Sequence, residues 1–246
     1  MATIIAAWER IRNHLWPILP RNDLSHAANF LYMMTGKDPD PTAAKILDTC
    51  LILHADHGLN ASTFVARCTA SSLSDLHSAI TAAIGSLKGP LHGGANEQVM
   101  RMLLQIGSTE NAEAAVRAML DTKQKIMGFG HRVYKADDPR AAWLQRLSRD
   151  LAETVGPKQW YEISEIIRHV VQESKPLPVN VDFYSASVYY ALGIPIDQFT
   201  PIFALSRVSG WTAHVLEQYG DNRIIRPESE YIGPENVQYV PVAQRG

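Results

Sequence analysis

Apolar residues recur along this chain at helical spacing, and the breaks between the periodic stretches carry helix-start signals. Asp40-Pro41 supplies an N-cap followed by proline at the first helical position, and Ile46, Leu47, Cys50, Leu51 and His54 then fall on one face. Ser74-Asp75 opens a second helix through Leu76, Ile80, Ala83, Ile84 and Leu87, and 96–106 continues after a glycine break. The alanine-rich stretch 112–120 is strongly helix-forming. Asp138-Pro139 repeats the cap-and-proline device ahead of Trp143, Leu144 and Leu147. Two further helices are expected over 161–171 and 181–192, and a long one over about 201–218. The opening MATIIAAWERIRNHLW is interrupted by Glu9 and Arg10 and reads as an amphipathic helix, not a signal peptide. Alternation with period two is missing, leaving room for short strands only near the C-terminus. The pattern predicts an all-α fold, with hinges between two lobes at Gly89-Pro90 and Ile194-Pro195.

Composition narrows the classes. At 246 residues, with 46% apolar and 20% charged, the chain can bury a sizeable core. Net charge is −2 and the isoelectric point about 6.5, so no global positive field gathers nucleic acid or an anionic membrane. Any anionic ligand must be held by a few local cations. No apolar run approaches about 18 residues, so no membrane span is expected. Two cysteines, Cys50 and Cys68, in helical surroundings give no disulfide framework and point to a reducing cytoplasmic setting. In that setting the glycosylation-type triplet Asn60-Ala61-Ser62 carries no meaning.

Chemistry concentrates where ionisable residues interrupt well-patterned helices: LILHADHGLNAST (51–63), GPLHGGANE (89–97), MGFGHRVYKADDPRA (127–141), PVNVDFYSASVYYALGIP (178–195) and FALSRVSGWTAHVLEQ (203–218). His92 and His131 sit beside glycines at expected helix starts, where backbone N–H groups disfavour a protonated ring. A neutral imidazole there still donates one hydrogen bond to a carbonyl. Asp182 near a helix start is either a capping group or a general base. His54 and His57 form an H-x-x-H pair that would suit zinc on a helix, but no third ligand has metal-like spacing. Gly128-Phe129-Gly130 lacks the preceding strand and third glycine of a dinucleotide site, and no Walker A pattern occurs. Arg207, inside an apolar helix, needs an anion, either an internal carboxylate or a bound one.

Taken together and in order, the last four of those segments resemble successive motifs of the citrate synthase family. The likeness runs from LPRNDLSHAANFLY (19–32) to IIRPESEYIGP (224–234), in the style of the shorter bacterial and archaeal members. It implies a helical two-domain fold, with a large domain of 1–91 plus 195–246 and a small domain of 92–194. Family members begin upstream of residue 1, so the N-terminal part of the large domain would be missing here. The resemblance implies condensation of acetyl-CoA with oxaloacetate. His92 would stabilise the enol of acetyl-CoA, Asp182 would take the methyl proton, and His131 would polarise the oxaloacetate carbonyl. His57, Arg140 and Arg207 would hold the oxaloacetate carboxylates, and Arg226 would reach the partner site of a homodimer. Lys125, Gly128, Phe129 and Gly130 would line the adenine of CoA, with Lys135 and Asn180 as further CoA contacts. Neither a metal nor a resident cofactor is implied. A 2-methylcitrate synthase using propionyl-CoA, and a non-catalytic helical dimerisation or CoA-binding module, are the alternatives.

Overall fold

A computed structural model describes residues 1–130, 136–154, 156–175 and 177–245. Within them the chain folds into eleven α-helices and no strand: α1 (Ala2–Arg12), α2 (His26–Thr35), α3 (Pro41–His54), α4 (Ala61–Ser71), α5 (Leu76–Leu87), α6 (Ala95–Ile106), α7 (Thr109–Asp121), α8 (Pro139–Thr154), α9 (Gln159–Ser174), α10 (Val181–Ala191) and α11 (Phe199–Gly220). The all-α expectation holds. Among the described residues no helix is long and apolar enough to cross a membrane.

Side-chain caps set most of the helix starts. The Asp40 carboxylate accepts the N–H groups of Thr42 and Ala43, Asn60 that of Thr63, Asp75 that of Ser78, and Asn180 that of Asp182. Two helices escape the sequence pattern. α2 starts on Ser25 and ends on Gly36, whose φ of 75° is the left-handed closure that glycine permits. α4 buries Ser62, Thr63, Ala66, Ala70 and Ser71, so its packing face lacks the large apolar residues on which periodicity depends. Those small residues let α4 lie closely against α5 and α11.

The short strands expected near the C-terminus do not form. Residues 221–241 run irregularly over the surface and end in a single 3-10 turn, Val242–Gln244. A strand needs a neighbour for its hydrogen-bond ladder, and none lies beside this tail. The one backbone bridge among the described residues joins Phe129 to Val179.

Two apolar clusters organise the interior. The larger joins α1–α3 to α6–α10 and the start of α11 through residues such as Phe30, Leu47, Leu103, Leu144, Phe183 and Phe199. The smaller lies between α4, α5 and α11, around Ala70, Ala83, Leu87 and Trp211. Both glycine-proline breaks fall between helices: residues 88–94 form a turn between α5 and α6, and Ile194-Pro195 leads from α10 into the 3-10 turn Ile196–Gln198.

Candidate active site

A cavity of about 1180 Å³ opens where six parts of the chain meet. Its walls come from residues 57–61 ahead of α4, the 90–95 turn ahead of α6, the 125–130 segment, and the starts of α8 and α10 with one face of α11. Nearly every sequence-predicted residue lies on it: His57, His92, Lys125, Gly128, Phe129, Gly130, Arg140, Asn180, Asp182 and Arg207. His131 and Lys135 lie outside the described residues. Arg226 is exposed on the C-terminal tail and does not line this cavity.

The 126–130 wall is stitched to the start of α10. Gly130 donates its N–H to Pro178 O at 2.7 Å, Asn180 donates to Gly128 O at 3.0 Å, and Asn180 Nδ2 donates to Gly130 O at 3.1 Å. Gly128, at φ 85°, packs so tightly on Phe183 that an added Cβ would fall 2.6 Å from the ring. Asn180 thus has both polar ends engaged in holding this wall and capping α10, which fixes where Asp182 stands.

His92 is held by Ser62 at the start of α4. The Ser62 N–H donates to Nε2 at 3.3 Å, and the Ser62 hydroxyl lies 2.8 Å from the same nitrogen. The hydroxyl in turn accepts the buried indole N–H of Trp211 at 3.1 Å and lies 2.8 Å from Asn60 Oδ1. Because a backbone N–H can only donate, Nε2 is the acceptor and the ring proton sits on Nδ1. Burial, reinforced by the charge of Arg207, lowers the His92 pKa to about 4, so the ring is neutral near pH 7. The sequence anticipated a neutral ring from nearby helix N–H groups. Burial is the main cause, and the helix N–H that reaches the ring is that of Ser62 in the first turn of α4, since α6 begins three residues after His92, at Ala95.

Asp182 occupies the second position of α10, with Oδ1 buried and without a hydrogen-bond partner. Burial raises its pKa to about 7, against the opposing pull of Arg140 and Arg207 and with help from Asp138. A carboxyl poised there exchanges a proton near neutrality. Among the described residues its side chain caps no helix, and the cap of α10 is Asn180.

The cations differ in how they are compensated. Arg140 is paired with the buried Asp138, its Nη2 2.6 Å from Oδ2 and its Nε 3.0 Å from Oδ1. Burial works to raise the Asp138 carboxyl, but the hydrogen bonds and charge of Arg140, with the charge of His57, hold it below the usual range. Arg207 is 1% exposed and donates Nε to His54 O at 2.7 Å, with its guanidinium 4.8 Å from the Phe203 ring centre. Among the described residues it makes no ion pair. Burial and the nearby Arg140 lower its pKa to about 10, against the charges of Asp56 and Asp182, so it remains a cation lining the cavity.

The H-x-x-H reading needs correction. α3 ends at His54, and His57 lies beyond it in the loop, so the two do not share a helix face. His54 is fully buried and donates Nδ1–H to Cys50 O at 2.7 Å. Sequence reasoning overlooked Ser62 and the role of Asp138. The motif segment around Asn60 was the available signal for Ser62. Asp138 was read only as a cap.

A family model described as "Citrate synthase, C-terminal domain" matches residues 1–228. Citrate synthase 2 of Bacillus subtilis is 57% identical over 242 residues, covering 98% of this chain and 65% of that protein. A 2-methylcitrate synthase of Shewanella oneidensis is 47% identical over 218 residues, covering 89% of this chain and 58% of that protein. Among solved structures, the citrate synthase of Thermoplasma acidophilum in ternary complex with carboxymethyl coenzyme A and oxaloacetate superposes with a TM-score of 0.92 at 35% identity. That match covers 99% of this chain and 66% of that one. The chain therefore spans a little under two thirds of the length of the curated relatives it matches.

Proposed function

We propose that this chain, which belongs to the citrate synthase family, carries the reacting groups of an enzyme that condenses acetyl-CoA with oxaloacetate and hydrolyses the citryl-CoA formed. The observation that carries this reading is the meeting, around one cavity, of a neutral imidazole (His92), a carboxyl poised near neutrality (Asp182) and a buried guanidinium that makes no ion pair among the described residues (Arg207).

The chemistry follows from those three groups. A thioester methyl is a weak acid, so a carboxylate alone removes its proton too slowly. Asp182 takes the proton while His92 Nδ1–H donates to the thioester oxygen, where negative charge develops. The enol carbon then attacks the ketone carbon of oxaloacetate, His131 supplying a hydrogen bond to the ketone oxygen. Water cleaves the resulting thioester, releasing CoA as a thiol. Arg207, Arg140 and His57 hold the oxaloacetate carboxylates, planar guanidinium forks suiting that shape. Lys125 at the rim and the 128–130 wall take the CoA nucleotide, with Lys135 and Asn180 as further contacts. No step in this scheme calls on a metal or a resident cofactor.

The cavity divides its walls between segments 1–91 with 195–246 and segment 92–194, which supports treating these as two domains that close over oxaloacetate. Closure dries the site and strengthens each of its hydrogen bonds. A homodimer with Arg226 crossing into the partner site is supported by the exposure of that residue and of Tyr231, Ile232 and Tyr239 on the same tail. The free thiols Cys50 and Cys68 support a cytoplasmic location.

The test is free-thiol release from acetyl-CoA in the presence of oxaloacetate. Release that requires both substrates and is abolished by Asp182→Asn supports the reading. No release from a folded chain that binds oxaloacetate contradicts it and favours a non-catalytic module. A second reading, propionyl-CoA as the preferred acyl donor, is favoured by the 2-methylcitrate synthase relative; the ratio of kcat/KM for the two acyl-CoAs decides between them.

A further inference from the structure

Behind Asp182 lies a set of polar atoms that the scheme above does not use. Asp182 Oδ1, Tyr189 Oη and His54 Nε2 are each shut off from solvent without a hydrogen-bond partner. Tyr189 and His54 are both 0% exposed. Tyr189 follows Asp182 by seven positions on α10, close to two turns, so the two share a helix face. The His54 ring on α3 lies 6.1 Å from the Tyr189 ring. Buried polar groups in folded proteins are almost always paired, and three orphans in one neighbourhood call for a common partner.

Counting donors and acceptors identifies that partner. His54 donates Nδ1–H to Cys50 O, so its Nε2 is an acceptor. An ionised Asp182 only accepts, and the Tyr189 hydroxyl has a proton to give. One water closes the set: it accepts from Tyr189 and donates one proton each to Asp182 Oδ1 and His54 Nε2. Three hydrogen bonds are the usual complement of a buried water.

We propose that Tyr189 and His54 hold a single buried water against Asp182 Oδ1 and act through it as positioning residues for this carboxylate. The water fixes the rotation of the carboxyl group and stabilises its charged form against the surrounding burial. The charged groups that act on Asp182 are Asp138 and Arg140 at the start of α8 and Arg207 from α11, and Asp182 and Cys50 in turn act on Tyr189. Among the described residues, Tyr189 brings a neutral donor without another partner. Cys50 is buried with its thiol pushed up by desolvation, so it stays neutral, and Arg140 is already bound to Asp138. The part played in proton removal rests on the function proposed above; the water site itself does not.

The test follows the Asp182 carboxyl by NMR in 13C-aspartate-labelled chain, the signal being identified by its loss in Asp182→Asn. In Tyr189→Phe, which removes one oxygen and leaves the ring, the titration midpoint is expected to move upward by about one unit, because the charged form loses its support. A folded Tyr189→Phe chain with an unchanged or lower midpoint overturns the proposal. The wild-type chain offers a second readout that needs no variant. A long-lived water should give a nuclear Overhauser contact to His54 Hε1 and to the Tyr189 ring, and its absence overturns the proposal equally. Neither readout requires turnover, so a chain that proves inactive leaves this test intact.

Discussion

Ser62 and His92 meet through two contacts at one nitrogen: Nε2 accepts the Ser62 backbone N–H at 3.3 Å and lies 2.8 Å from its hydroxyl oxygen. The backbone contact fixes the tautomer, and the hydroxyl links the imidazole to the buried indole of Trp211. Removing the hydroxyl therefore reaches both the site and the core. Ser62→Ala is expected to leave the Trp211 N–H unpaired and to cost about 1–3 kcal/mol of stability. With the imidazole less firmly held, kcat should fall roughly tenfold, equivalent to about 1.4 kcal/mol at the transition state. Urea melts and thiol-release rates on the same sample check both parts.

Asp182 is a stability cost that its proposed role requires. Its carboxyl titrates at about 7 when folded against an ordinary 3.8. Between those values the folded chain keeps a proton that the unfolded chain has lost, so this group makes stability fall as pH rises through the window and level off above about 7. Asp182→Asn removes that cost. The variant should be more stable than the wild type by on the order of 3 kcal/mol at pH 8 and by clearly less at pH 5, while losing turnover. Denaturant midpoints at the two pH values provide the check.

The buried imidazoles act in the opposite direction. Burial lowers His54 to about 3 and His92 to about 4, against an ordinary 6.5. Below pH 6.5 the unfolded chain takes up protons that the folded chain refuses, so the stability they contribute is present above 6.5 and is lost as pH falls toward 4. Urea midpoints should drop across that range, and His92→Gln should flatten the drop.

Arg207 offers a buried positive charge that no described carboxylate pairs with. Arg207→Lys keeps the charge but loses the fork, the Nε–H donated to His54 O and the stacking on Phe203. Oxaloacetate affinity measured by calorimetry should fall about a hundredfold, about 3 kcal/mol, within the range for disrupting a buried charge contact.

Much of this architecture was legible because the starts of α3 and α8 are written locally, in Asp40-Pro41 and Asp138-Pro139. α4 was not legible, because its buried face is alanine, serine and threonine, and close packing of small residues leaves little apolar period. The histidine-bearing segments pointed to the cavity walls, yet the geometry that matters is tertiary. Nothing local distinguishes Tyr189 from the other aromatic residues of α10, and that Arg207 faces a cavity instead of an internal carboxylate shows only once α3, α8 and α11 are packed. The pairing of Arg140 with Asp138 spans only two positions, but the cap reading absorbed that aspartate. Arg226, expected to reach the site of a partner subunit, lies exposed on the C-terminal tail and does not line the cavity of its own chain.

The central claim is that Asp182, assisted by His92, removes a proton from the methyl group of an acyl-CoA thioester. The most direct measurement is the wash-in of solvent deuterium into the methyl group of acetyl-CoA, followed by mass spectrometry with a non-reactive oxaloacetate analogue filling the dicarboxylate site. The account predicts exchange by the wild-type chain that Asp182→Asn and His92→Ala reduce to the uncatalysed rate. Equal exchange in the wild type and in a folded Asp182→Asn chain would contradict it.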